Sequence, residues 1–197
     1  MPLVSRVLEG KFVRLEPLTT DHIPALAKVA FDPDLWQLTT TRIANHDDLR
    51  TYVDDALALQ GAGTALPFCI IASDTNAAIG SSRFGNYDAA NRRVEIGWSW
   101  FARPWQRTTA NPEAKRLMLD YAFSVLECLR VEFKTDALNV RSRGALLKLG
   151  AVEEGILRSH MVVAGGRRRD SVYFSILVEE WPEVRRRLDA RLQAATA

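Results

Sequence analysis

The residues with the clearest chemical meaning form the run WQRTTANPEAK at residues 105–115. Its second half is spelled like the start of a helix. Asn111 is a side-chain cap, Pro112 stands at the first helical position, and Glu113 favours the positive end of the helix dipole. A helix start leaves backbone N–H groups without partners, and phosphate binds there readily. Arg107 adds a charge beside them, and Thr108 and Thr109 add hydroxyl donors. The reading is a loop that feeds a helix N-terminus and holds an anionic cofactor. The plainer alternative is an ordinary cap, in which Asn111 satisfies the same N–H groups internally.

Other reactive residue types carry less. Cys69 and Cys128 each sit in an apolar pattern, which reads as two reduced core thiols. His22, His46 and His160 lie far apart and lack metal-ligand spacing, so no metal is expected. The arginines at 185–187 invite an RNA contact, but a solvated helix end explains them more simply. With 26 basic and 24 acidic side chains the net charge is +2, too balanced for a nucleic-acid binder on charge alone.

The elements that must position the loop follow from periodicity. Residues 11–18 alternate as a first strand ended by Pro17. A short helix follows over 19–30, with Thr19 or Thr20 as cap and Pro24 in its first turn. Residues 31–45 are irregular and read as a substrate-mouth loop. Asn45 caps a helix over 46–60, which places Leu49, Tyr52, Val53 and Ala56 on one side. Strands are expected at 66–73, 78–87 and 91–101, an antiparallel meander. The clearest helix spans 111–129, with Ala114, Leu117, Met118, Tyr121, Ala122, Val125, Leu126 and Leu129 as its apolar face. A strand at 130–138, a helix at 139–150 stopped by Gly150, a hairpin at 153–178 turning at Gly165 and Gly166, and a helix at 179–193 complete the order.

A strand–helix–strand unit running from Glu95 to Ala137 requires a parallel pair, because the crossover helix returns the chain. The fold class is therefore mixed α/β (α+β), a mostly antiparallel sheet with helices on both faces. The loop lies at the C-terminal end of a central strand, where ligands of open sheets gather. A chain of 197 residues, 47% hydrophobic and 25% charged, suits one domain over 1–197. The first residues lack an apolar signal segment, and no run is long enough to span a bilayer, so a cytoplasmic protein with no membrane partner is expected.

VEIGWSWF, PWQRTTANPEAK and RVEFKTDALNVRSRGALLKLGAVEEG together resemble the GNAT acetyltransferase superfamily, in its ribosomal-protein N-acetyltransferase-like branch. The likeness covers nearly the whole chain. It implies a GNAT-like fold that binds acetyl-CoA, with the pyrophosphate cradled by a Q/R-x-x-G-x-G/A loop, here Gln106, Arg107, Thr108, Thr109, Ala110 and Asn111. It also implies that the backbone at Phe101 pairs with pantetheine and that Asn139 and Ser142 face the CoA arm. Two positions depart from the pattern. Thr109 and Asn111 replace the loop's small residues, and glycine permits a closer backbone approach than a β-branched side chain. The tyrosine that often protonates the leaving thiolate falls at Leu146, which makes Ser142 the nearest hydroxyl.

The implied activity is acyl transfer from CoA to a primary amine by direct attack of the neutral amine. The acceptor is a small amine or a protein N-terminus. Glu95 is the candidate base, flanked by Val94 and Ile96, where an apolar setting would raise its pKa. Alternatively, Glu95 points to solvent and pairs with Arg92 or Arg93. A backbone N–H on the same strand would steady the oxyanion. Trp36, Trp98, Trp100, Phe84, Arg83, Arg158 and His160 are candidates for the acceptor side. Leu146 and Thr109 keep a second reading open: a CoA-binding or partner-binding module with weak or absent catalysis. The apolar C-terminal strands point to a homodimer.

Overall fold

The structure, a computed structural model, describes residues 3–195. Thirteen helices and strands follow in order: β1 (Leu8–Glu9), β2 (Val13–Pro17), α1 (Ile23–Ala30), α2 (His46–Gly61), β3 (Leu66–Ala72), β4 (Ala78–Asp88), β5 (Arg93–Phe101), α3 (Ala110–Ser124), β6 (Arg130–Asp136), α4 (Val140–Leu149), β7 (Val152–Val162), β8 (Arg168–Leu177) and α5 (Trp181–Ala194). The strands make one sheet in the order β1-β2-β3-β4-β5-β6-β8-β7. Among the described residues only β5 and β6 run parallel, as the crossover through α3 demands.

Alternation divides the sheet into two packed faces. On one face Phe68, Phe84, Val94, Ile96, Val131, Phe133 and Phe174 meet Met118, Leu119 and Ala122 of α3 and Val184 and Leu188 of α5. On the other, Cys69, Ile71 and Trp100 meet Leu26 of α1 and Leu49, Val53 and Ala56 of α2. The expected helices on both faces are present. Two of the expected caps hold: Asn45 Oδ1 accepts from Asp48 N at 2.9 Å, and Gly150 ends α4 at φ 101°.

The clearest helix differs from its expected span. It begins at Ala110 rather than Asn111 and ends at Ser124 rather than 129. Glu127 turns the chain at φ 51°, and Leu129 N then bonds Arg92 O at 2.7 Å to align β6 beside β5. Leu129, read as part of the apolar face, is 45% exposed for this reason. β1 escaped the sequence reading because two residues carry no period. It is held by Glu113, whose buried carboxylate accepts from Lys11 N, Phe12 N and Val13 N at 2.9, 2.6 and 2.7 Å.

β5 and β6 pair over only three positions, the last being Glu95 with Glu132. Beyond it, β5 stays with β4 as far as Gly80–Phe101, while β6 stays with β8 as far as Asp136–Ser171. The two central strands therefore diverge. A bulge in β5 between Gly97 and Trp100 adds to the divergence, with Trp98 in the left-handed region at φ 50°. A bulge bends its strand and leaves a residue outside the ladder. The result is a V-shaped opening in mid-sheet, with Glu95 at its vertex and α3 starting at one rim.

Candidate functional site

Glu95 is 4% exposed. Its Oε2 accepts from Asn86 Nδ2 at 2.7 Å and lies 3.0 Å from Lys134 Nζ. Among the described residues no hydrogen bond reaches Oε1. Neither sequence expectation fits. The carboxylate is buried rather than turned to solvent, and its setting is polar rather than apolar. Arg92 is committed to Glu127 O, and Arg93 to Asp88 and Glu132. The pairing has a physical reason. Glu95 and Glu132 are side-by-side neighbours, and two carboxylates so placed repel. Lys134 offsets one, while Arg93 and Arg130 offset the other. Glu95 opens on a cleft that also involves Asn86, Asp88, Arg93, Glu132 and Tyr173.

The start of α3 offers its donors outward. Thr108 Oγ1 donates to Trp105 O at 2.8 Å and accepts from Ala110 N at 3.2 Å, while Thr109, at the N-cap position, makes no side-chain cap bond. Asn111 lies inside the first turn, and its side chain satisfies none of the helix N–H groups. Among the described residues the N–H groups of Arg107, Thr108, Thr109 and Asn111 have no backbone acceptor. The plain-cap alternative therefore fails. Arg107 is exposed and at φ 63°, a left-handed turn of the kind that anion nests use. Thr109 has φ −73°. Its backbone needs no glycine for conformational freedom, and its side chain matters only for how closely a ligand approaches.

Gln106 ties the rims together. Its Nε2 donates to Phe101 O at 3.0 Å, and its Oε1 accepts from Arg141 at 3.3 Å. The end of β5, the loop and the first turn of α4 are thus one unit. Across the V, Asn139 caps α4 by accepting from Ser142 N at 3.0 Å. The hydroxyl of Ser142 is half-buried and makes no hydrogen bond among the described residues. No contact joins Ser142 to Glu95. Leu146 is packed in the core, which leaves no hydroxyl at that position.

Residues 13–152 match the model of the acetyltransferase (GNAT) domain. The chain belongs to the GNAT acetyltransferase family. The GNAT relatives include N-acetyltransferase p20 of Bacillus licheniformis, named as uncharacterized, which is 33% identical over 72% of this chain and 76% of its own length. Another carries the name ribosomal N-acetyltransferase YdaF, from Bacillus subtilis (strain 168). It is 36% identical, and the match covers 49% of this chain and about half (51%) of that protein. Mycobacterium smegmatis RimJ in complex with CoA-disulfide shares the GNAT fold with a TM-score of 0.78 and 26% identity, over 94% of this chain and 91% of that one. Acetyl-CoA-dependent N-acetyl transfer is the activity of this family, and the loop N–H groups at α3 fit the phosphates of its acyl donor.

Within this GNAT fold the structure adds residues that the sequence reading missed. Lys115 is 8% exposed. Its Nζ donates to Ser99 Oγ at 2.6 Å, and Ser99 shares a 2.7 Å hydrogen bond with Ser82. Burial pulls this ammonium from 10.5 down to about 7, against the attraction of Glu95. The available signal was helical spacing, since Lys115 stands three, four and seven residues before Met118, Leu119 and Ala122. Lys134, the partner of Glu95, alternates like any solvent-facing strand lysine and gave no signal. Of the acceptor-side candidates, Trp36, Trp100 and Phe84 are core. Arg158 is exposed on β7, and His160 packs on Tyr173. Arg83 and Trp98 stack together near the vertex. Among the described residues no helix is long and apolar enough to cross a membrane.

Proposed function

We propose that this chain transfers an acetyl or larger acyl group from coenzyme A to a primary amine by direct attack of the neutral amine on the thioester. The observation that carries the reading is Glu95, buried at the vertex of the V with one carboxylate oxygen unengaged. An acid so placed accepts the proton that the amine must lose. Lys134 and Asn86 fix the other oxygen, so the free one has a set direction.

The remaining parts have roles in order. The N–H groups of Arg107, Thr108, Thr109 and Asn111, with the Arg107 charge, bind the pyrophosphate, while Gln106 and Ala110 shape the loop. The backbone at Phe101 and the side chains of Asn139 and Ser142 line the CoA arm. A backbone N–H freed by the β5 bulge stabilises the oxyanion. A C–N bond forms and the C–S bond breaks. The amine proton passes to Glu95, directly or through a water, and Ser142 donates a hydrogen bond to the departing thiolate. A thiol needs little help to leave, because its pKa is roughly 8.5. The acceptor is a small amine or a protein N-terminus, the second in keeping with the name of the YdaF relative. The setting is cytoplasmic, and edge strand β7, with Ile156 and Leu157 exposed, is where a second copy would pair.

Release of thiol from acetyl-CoA, followed over a panel of amines, tests the reading. Glu95→Gln should lower kcat roughly 10²–10⁴-fold and leave CoA affinity unchanged. Leu146, in place of a hydroxyl, favours the second reading, a CoA-binding module without turnover. CoA binding with no amine acetylated would establish that reading instead.

A further inference from the structure

One buried charge has no partner in the chemistry above. Arg83 is 3% exposed. Its Nε is sealed from solvent without a hydrogen-bond acceptor, and among the described residues its guanidinium makes no ion pair and no hydrogen bond. Two aromatic faces meet it: Tyr52 of α2 at 5.3 Å and Trp98 at 5.0 Å. A buried charge without a counter-ion is costly and seldom kept. Rings offer a guanidinium some attraction, but they leave its donor hydrogens unmet.

The position is specific. On β4, Gly85 pairs with Glu95 and Arg83 pairs with Gly97. Arg83 is thus two residues from the point opposite the base, on the same face of the sheet, roughly 7 Å along the strand. The Trp98 ring joins the two, since it also lies 5.8 Å from Lys134, the partner of Glu95. A second guanidinium repeats the pattern on the other arm of the V. Arg169 of β8 is 5% exposed with an unpartnered Nε. The charges near enough to act on it include Asp136, Glu95 and Arg167.

We infer that the amine acceptor carries an anionic group, a carboxylate or a phosphate, which Arg83 binds between Tyr52 and Trp98 while the amine meets Glu95. The inference rests on the acyl-transfer reading and narrows its substrate class. A flat guanidinium whose terminal amino groups carry no hydrogen bond presents paired donors that such anions fit. An acceptor with amine and anion a few bonds apart spans the two groups. Arg169 would add to the positive field from the far arm.

The test uses the full chain, acetyl-CoA and matched acceptors. One pair is an α-amino acid and its carboxamide. The other is an aminoalkyl phosphate and the corresponding amino alcohol. The anion-bearing member of one pair should exceed its neutral partner at least tenfold in kcat/KM, and the pair that shows the preference identifies the anion. Arg83→Gln should reduce that ratio to near one with CoA affinity unchanged, and Arg83→Lys should restore part of it. Equal turnover within both pairs, or a preference that survives Arg83→Gln, overturns the inference. Thermal unfolding gives an arm independent of turnover. With CoA saturating the pyrophosphate loop, inorganic phosphate or succinate should raise the Tm of the wild-type chain and not that of Arg83→Gln. If no amine is acetylated, the acyl-transfer reading fails, and this arm alone decides whether Arg83 is an anion site. An equal response in both chains, or none in the wild type, refutes it.

Discussion

Replacing Lys115 with methionine should change how stability depends on pH, by an amount the structure sets. The folded chain releases this proton near pH 7, because burial disfavours the ammonium, whereas an ordinary lysine holds it to about 10.5. Between those values the unfolded chain binds more protons than the folded one, so stability rises with pH. The contribution is complete above 10.5 and is lost as pH falls through 7. Worked through these two values, Lys115 adds about 2 kcal/mol between pH 7 and 9 and below about 0.5 kcal/mol between pH 6 and 7. Lys115→Met keeps the length of the side chain and removes the titration. Ser99 retains its hydrogen bond to Ser82. Urea unfolding of both chains at pH 6, 7, 8 and 9 reads the difference directly. The variant should be the more stable at pH 7, and its advantage should shrink by about 2 kcal/mol at pH 9. A difference that stays constant across that range would show that Lys115 is not held in a desolvated site.

Glu113→Ala removes the acceptor of three backbone N–H groups in the β1–β2 turn. At about 1–3 kcal/mol for each donor left unsatisfied, urea unfolding should show a loss of about 3–9 kcal/mol, and a loss near that of a surface change would contradict the clamp. Thr109→Gly keeps an accessible backbone conformation and opens space at the loop, so calorimetry should record tighter CoA binding. Weaker binding would mean that the threonine hydroxyl itself contacts the ligand. Arg107→Ala should weaken CoA binding about tenfold at low salt and less at high salt, because an exposed charge is screened. An effect independent of salt would assign Arg107 a purely conformational role.

Periodicity and punctuation determined most of this fold. Asn45, Gly150, the glycine turn at 165–166 and the alternation of β6 are local signals, and each element they mark stands close to where it was read. The crossover through α3 also demanded a parallel pair, and from the pair followed a mixed sheet with the loop at its centre. The site was legible as far as backbone chemistry reaches: a helix start with free donors, and an acid on the strand before it. Tertiary packing decided the rest. Sequence cannot say that β5 and β6 part after Glu95, because the divergence comes from each strand keeping its outer partner. It cannot say that Lys134 arrives from β6 to pair with Glu95, or that Lys115 and Arg83 are drawn out of water, because burial of a charge depends on what crosses over it. The run at 105–115 shows the division most plainly. Its residues fixed a helix start that suits an anion, but only the folded loop tied Thr108 to Ala110 N, carried Asn111 into the first turn and left the donors of Arg107, Thr108, Thr109 and Asn111 open.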